Sequence, residues 1–230
     1  GKQESPLSLS KTMTRIFFTL ALFASCLVIA NLLLGHTIFG YGDTAKEYAE
    51  IFQKLESATS RTDSPSTPTL EKRRDDLRAV FLAKQRRMTW HFWIGIGSVL
   101  ITMLVNSVCV TYFIGTNRWC REVVETYGLD PALLTSSNAL KKRAFPWSFA
   151  GILSAIAIAA FGAAADPAGY LQNESNNWVW PHYVCSLMGT GIIIGCFGVQ
   201  VRSIRANYEV IRLILAKVQD IRQASIQPKA

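Results

Sequence analysis

Charge is what this sequence has least of. Asp, Glu, Lys and Arg make up 17% of its 230 residues, against about 25% in an ordinary soluble domain. The deficit is concentrated in four places. No charged residue occurs between Arg15 and Asp43, Arg87 and Arg118, Arg143 and Asp166, or Glu174 and Arg202, runs of 27, 30, 22 and 27 residues. A helix needs roughly 20 apolar residues to cross a bilayer core, and each run supplies them. The composition therefore excludes disorder, a disulfide scaffold and a soluble enzyme.

Other absences narrow the chemistry. None of the five cysteines (Cys26, Cys109, Cys120, Cys185 and Cys196) forms a C-x-x-C pair, so they read as small apolar fillers rather than metal ligands or disulfide partners. Neither H-E-x-x-H nor G-x-S-x-G is present. The charge-free runs hold no ionisable carboxylate or amine of the kind that ion-coupled carriers keep in the membrane. Cys185 follows His182 by three residues, a thiol and an imidazole with no third group to orient them. The expectation is a protein that is not an enzyme. The net charge of +8 comes with no groove-entering motif, so its partners are lipid headgroups and not nucleic acid.

What is present specifies an all-α integral membrane four-helix bundle. Its spans are expected near 16–39, 93–115, 147–165 and 183–201. Between the first two, 43–90 reads as an extramembrane helical hairpin. Gly40-Tyr41-Gly42 breaks the first helix, and Thr44 with Glu47 forms a capping-box pattern. Tyr48, Ile51, Phe52 and Leu55 follow at helical spacing, and Leu70, Leu77, Val80, Phe81 and Met88 line the returning arm. The Ser-, Thr- and Pro-rich stretch from Ser57 to Thr69 is the turn between the arms. Asp130-Pro131 starts a short helix expected to end near Arg143, before Pro146. Residues 202–226 form an amphipathic C-terminal helix, and from the end of the fourth span onward Val201, Ile204, Tyr208, Ile211, Leu215 and Val218 alternate by three and four, like a short heptad seam. That seam fits either a coiled coil or a helix lying on the protein or membrane surface.

Small residues mark two packing faces. Gly151, Ala155, Ala159 and Ala163 repeat every four residues in the third span, and Gly191 with Gly195 forms G-x-x-x-G in the fourth. Such spacings let helix backbones approach closely in lipid, so the two spans are expected to pack on each other or on a second copy.

Orientation follows the Lys and Arg count. The loop before the fourth span has none, which assigns it to the outside. The amino terminus, second loop and tail, with three, five and six, then lie inside, and the first loop, with ten, lies outside. The chain reads as multi-pass, N-in and C-in, with fourteen basic residues inside and ten outside. Asn173-Glu174-Ser175 is a glycosylation sequon on the outer side. Gly1-Lys2-Gln3-Glu4-Ser5 fits a myristoylation signal if a Met preceded it.

Three residues could hold a cofactor. His36, His91 and His182 all fall at the outer span ends, where imidazole also sits simply because its tip is wet. No cofactor is the first expectation. The alternative is a b-type haem on His36 and His182, or a metal on all three with His91, making an electron-transfer subunit. A further alternative is an oligomeric channel lined by Ser98, Thr102, Asn106, Ser107 and Thr111 of the second span. By elimination the main expectation is an accessory or assembly subunit of a larger membrane complex, or a self-associating scaffold. Its partners would be membrane lipids, other membrane-protein subunits or itself.

Overall fold

Because an apolar solvent leaves backbone amides no outside partner, a chain of this composition must satisfy them within helices. A computed structural model of the chain describes residues 6–59, 67–167 and 174–226. Helix accounts for 94% of these, and no strand occurs among them. The elements are α1 (Pro6–His36), α2 (Tyr41–Thr59), α3 (Thr67–Thr126), α4 (Ala132–Ala165) and α5 (Ser175–Ile226). By length and composition α1, α3, α4 and α5 can each cross a membrane, which makes this a multi-pass membrane protein on composition. Gly1 and Asn173, with the proposed modifications, and most of the Ser57–Thr69 turn lie outside the described residues.

The helices run further than the charge-free stretches predict. At 60 residues, α3 is roughly 90 Å long, about three times a hydrocarbon core. It continues past residue 115 to Thr126, where Gly128 stops it. Gly128 adopts φ of 58°, the left-handed conformation that closes a helix end, with Tyr127 N–H bonding Val123 O (3.1 Å) and Leu129 N–H bonding Val124 O (3.0 Å). Asp130 then caps α4 as expected, its Oδ1 accepting from Ala132 N–H at 2.8 Å.

Two sequence expectations fail locally. The helix from Asp130 does not end at Arg143: α4 carries Pro146 inside one continuous helix, as α5 carries Pro181. Proline removes one backbone donor and crowds one carbonyl, a loss that packing around it can offset. Ala144 and Ser148, on either side of Pro146, are both fully buried. Thr44 is not a cap either. The helix restarts at Tyr41 after Gly40 (φ 73°), so the Thr44 hydroxyl lies inside α2 and donates back to Gly40 O at 3.0 Å.

The chain divides into two compact units, and α1, α3, α4 and α5 each contribute residues to both. One unit comprises residues 1–26, 99–157 and 188–230. Within it, the end of α3 and the tail of α5 enclose an apolar cluster of Cys120, Val124, Leu129, Ile211, Ile214 and Val218, with Trp119, Leu133 and Leu134 against it. Ile204, Ile211 and Val218 of the heptad pattern are buried, while Val201, Tyr208 and Leu215 are half-buried. The seam is therefore spent inside the chain, and the tail lies on its own protein.

The other unit comprises residues 27–98 and 158–187. In it α2 packs on the first part of α3. Tyr48 stacks on Phe81 with ring centroids 4.8 Å apart, Arg73 pairs with Glu47 at 2.7 Å, and Lys84 Nζ donates to Thr44 Oγ1 at 3.0 Å. Ile51 and Leu55 are buried, whereas Phe52 and Val80 of the expected stripes are exposed. Tyr41, which also stacks on Phe81, has its hydroxyl pKa pushed up by burial and by the Asp166 carboxylate.

The enclosed tail generates a direct expectation. Ile214→Ala should lower stability by about 2–5 kcal/mol through the cavity it leaves, whereas exposed Leu213→Ala should change little. Thermal unfolding of both variants in detergent micelles measures the difference, and equal effects would place the tail off the protein.

Candidate functional site

Two groups of polar side chains stand out against the apolar helices, one in each unit. The first lies in the unit of residues 1–26, 99–157 and 188–230. Thr102 and Asn106 are one turn apart on α3, so both point to the same side. Asn106 Nδ2 donates to the Thr102 carbonyl at 2.7 Å, and its Oδ1 accepts from Gln200 Nε2 of α5, also at 2.7 Å. All three residues are fully buried. Gly151 of α4 closes the layer, since a Cβ there would stand 2.8 Å from Asn106 Oδ1.

Further along α3 a second layer forms around Asn207. Its Oδ1 accepts from Ser137 Oγ at 2.9 Å, and its Nδ2 reaches Thr116 Oγ1 at 3.1 Å and the Tyr112 hydroxyl at 3.3 Å. Beyond it, Asn117 Nδ2 donates to Asn138 Oδ1 at 2.9 Å while its Oδ1 accepts from Lys141 Nζ at 3.2 Å. These layers join α3 to α4 and α5 by hydrogen bonds between uncharged groups, apart from the one that Lys141 donates. Asn207, Gln200 and Ser137 were not apparent as site residues in the sequence. Their signal was present, as polar residues at three- and four-residue spacing inside an otherwise apolar stripe.

The polar stripe of the second span does not stay on one face. Ser98, Thr102 and Asn106 are buried, but Ser107 and Thr111 are exposed. Of the buried members, Asn106 bonds a neighbouring helix through Gln200, the common use of Asn in spans, while the Ser98 hydroxyl donates back to Ile94 O of α3 itself.

The second group is the histidines, all in the unit of residues 27–98 and 158–187. The close pair is His91 with His182, ring centroids 6.3 Å apart and nearly perpendicular, rather than His36 with His182. His36 is exposed and tilts against Tyr183, centroids 6.0 Å apart. His91 Nδ1 faces the Asn31 carbonyl at 3.2 Å; a carbonyl can only accept, so this nitrogen carries the proton. His182 Nδ1 lies 3.5 Å from Ser186 Oγ, so Ser186, and not Cys185, faces that nitrogen.

Both rings of the close pair are pressed edge-on against glycines. A Cβ at Gly35 would stand 2.9 Å from His91 Cε1, and one at Gly162 would stand 3.1 Å from His182 Cε1. Helix backbone thus occupies the space beside each ring. Among the described residues no group of three or more His, Cys, Asp and Glu is placed to hold a metal ion. The cysteines are all free thiols, three of them (Cys109, Cys120 and Cys196) buried.

The small-residue faces behave differently from each other. Gly151 and Ala155 are buried in the interior of their unit, whereas Ala159 and Ala163 are exposed. Gly191, Gly195 and Gly198 of α5 are exposed, and a Cβ on any of them would meet no atom within 4 Å. G-x-x-x-G therefore does not serve the chain's own interior. No protein-family model, curated protein or solved structure matches the chain.

These contacts separate two superficially similar substitutions. Gly151→Ala should destabilise by about 1–3 kcal/mol, because its methyl collides with the Asn106 carboxamide. Gly191→Ala should leave stability unchanged or raise it by up to about 1 kcal/mol, the gain of Ala over Gly in a helix. Unfolding in micelles, read by circular dichroism, distinguishes them.

Proposed function

We propose that this protein is a non-catalytic four-span membrane scaffold that associates with itself, or with other subunits of a membrane assembly, through the outward glycine face of α5. The observation carrying this reading is the open surface at Gly191, Gly195 and Gly198. Exposed Met188, Ile192 and Ile194 flank it. Glycines so placed let a second helix backbone come close, and association in lipid is driven largely by such packing. Of the two partners, a second copy is the one that the chain itself supplies.

The four spans pack as a bundle in this reading, N-in and C-in on the count of basic residues. The α2 arm and the first part of α3 make the extracytoplasmic hairpin, supported by the Tyr48–Phe81 stack and the Arg73–Glu47 pair. The tail after residue 201 is the cytoplasmic helix, held by its own apolar cluster. Membrane lipids cover the remaining apolar surface.

Replacing Gly191 and Gly195 together with Leu fills the face while leaving the buried polar layers untouched. The oligomer mass in lipid nanodiscs or mild detergent, measured by light scattering, should fall to that of one chain. An unchanged multimer would remove the α5 face from the interface.

A further inference from the structure

The Thr102–Asn106–Gln200 layer has hydrogen-bonding capacity left over. Thr102 Oγ1 and Gln200 Oε1 are buried and have no hydrogen-bond partner among the described residues. Turning the amides over does not cure this. The Thr102 carbonyl can only accept, so Asn106 must present its NH2 there and its oxygen to Gln200. Gln200 must then present its own NH2, which leaves Oε1 unpaired. The Thr102 hydroxyl is unusual too. Hydroxyls at Ser98, Thr116, Thr126, Ser148 and Ser203 each donate to the carbonyl four residues earlier, and that of Thr102 does not.

A fully buried hydroxyl and a fully buried amide oxygen thus belong to two residues that each bond the Asn106 carboxamide. We infer that this layer binds a water molecule, which accepts from Thr102 Oγ1 and donates to Gln200 Oε1. The donor set selects that ligand. Hard divalent cations take six or more oxygens, usually including carboxylates, and here two neutral oxygens are unpaired. Water supplies one acceptor and two donors, and internal waters occupy polar sites of this kind. The Asn207 layer, about two turns away on α5, provides the contrast: its oxygen and its NH2 are all bonded to side chains, so it needs no bridging ligand.

The test uses the full chain in detergent micelles or nanodiscs, with water itself as the probe. In the wild-type protein, a cross-relaxation peak should connect a long-lived water to the Gln200 side-chain NH2, and the peak should vanish in Thr102→Val. Absence of the peak in the wild type would overturn the inference, including the case in which Thr102 turns to bond Gln200 directly. Stability gives an independent reading. Thr102→Val keeps the shape but removes the hydroxyl, so a hydrated layer predicts a Tm lower by roughly 2–4 °C for a chain of this size. A dry layer gains by losing an unpaired buried hydroxyl, and an unchanged or raised Tm would overturn the assignment.

Discussion

One carboxamide organises the part of the protein that contains it. Asn106 is fixed on α3 by its bond to the Thr102 carbonyl, is met by Gln200 from α5, and is covered by Gly151 of α4. In an apolar setting a buried amide has no competing partner, and leaving it unmade is costly. Sliding α5 by one residue would break the bond, so the contact sets register as well as adding stability. Glycine follows as a requirement, because any side chain at 151 would occupy the volume of the amide. Farther along, Asn207 repeats the arrangement with Ser137, Thr116 and Tyr112. The polar layers give way to an apolar cluster of Cys120, Val124, Ile211 and Ile214.

The other unit uses a different pairing of large and small. His91 and His182 fit because Gly35 and Gly162 have no side chains. Each imidazole gains close helix contact along one edge while a ring nitrogen keeps a polar neighbour, the Asn31 carbonyl for His91 and Ser186 for His182. Of the three histidines at span ends, these contacts bring together His91 and His182.

Much of this fold was legible in the charge pattern. Four charge-free runs became four long helices because the hydrocarbon requirement acts on composition and length, both of which a sequence displays. The Asp130 cap was legible for a similar reason: its chemistry is local. What failed depended on distant residues. Pro146 looks like a break in sequence, yet it lies within a continuous helix. The seam through Ile211 and Val218 suited a coiled coil equally well, yet it packs with Cys120 and Val124 of its own chain. Gly151 and Gly191 belong to near-identical patterns, and only the neighbour at each separates an interior glycine from an open one. No spacing rule could have joined Gln200 to Asn106 across a sequence separation of 94.

The function proposed here follows from that last distinction. A chain that has filled its interior glycine positions and left Gly191, Gly195 and Gly198 uncovered offers those positions to another helix. Site-directed cross-linking in lipid vesicles tests this most directly. A cysteine at Ile194, which borders the glycines and is 37% exposed, is compared with one at Leu153 on α4, which is more open at 64%. Wild type is the baseline because Cys26 is its one fully exposed thiol. The account predicts that mild oxidation converts Ile194→Cys into covalent dimers well beyond both wild type and Leu153→Cys. Equal yields from the two positions, or no dimer from Ile194→Cys, would contradict it.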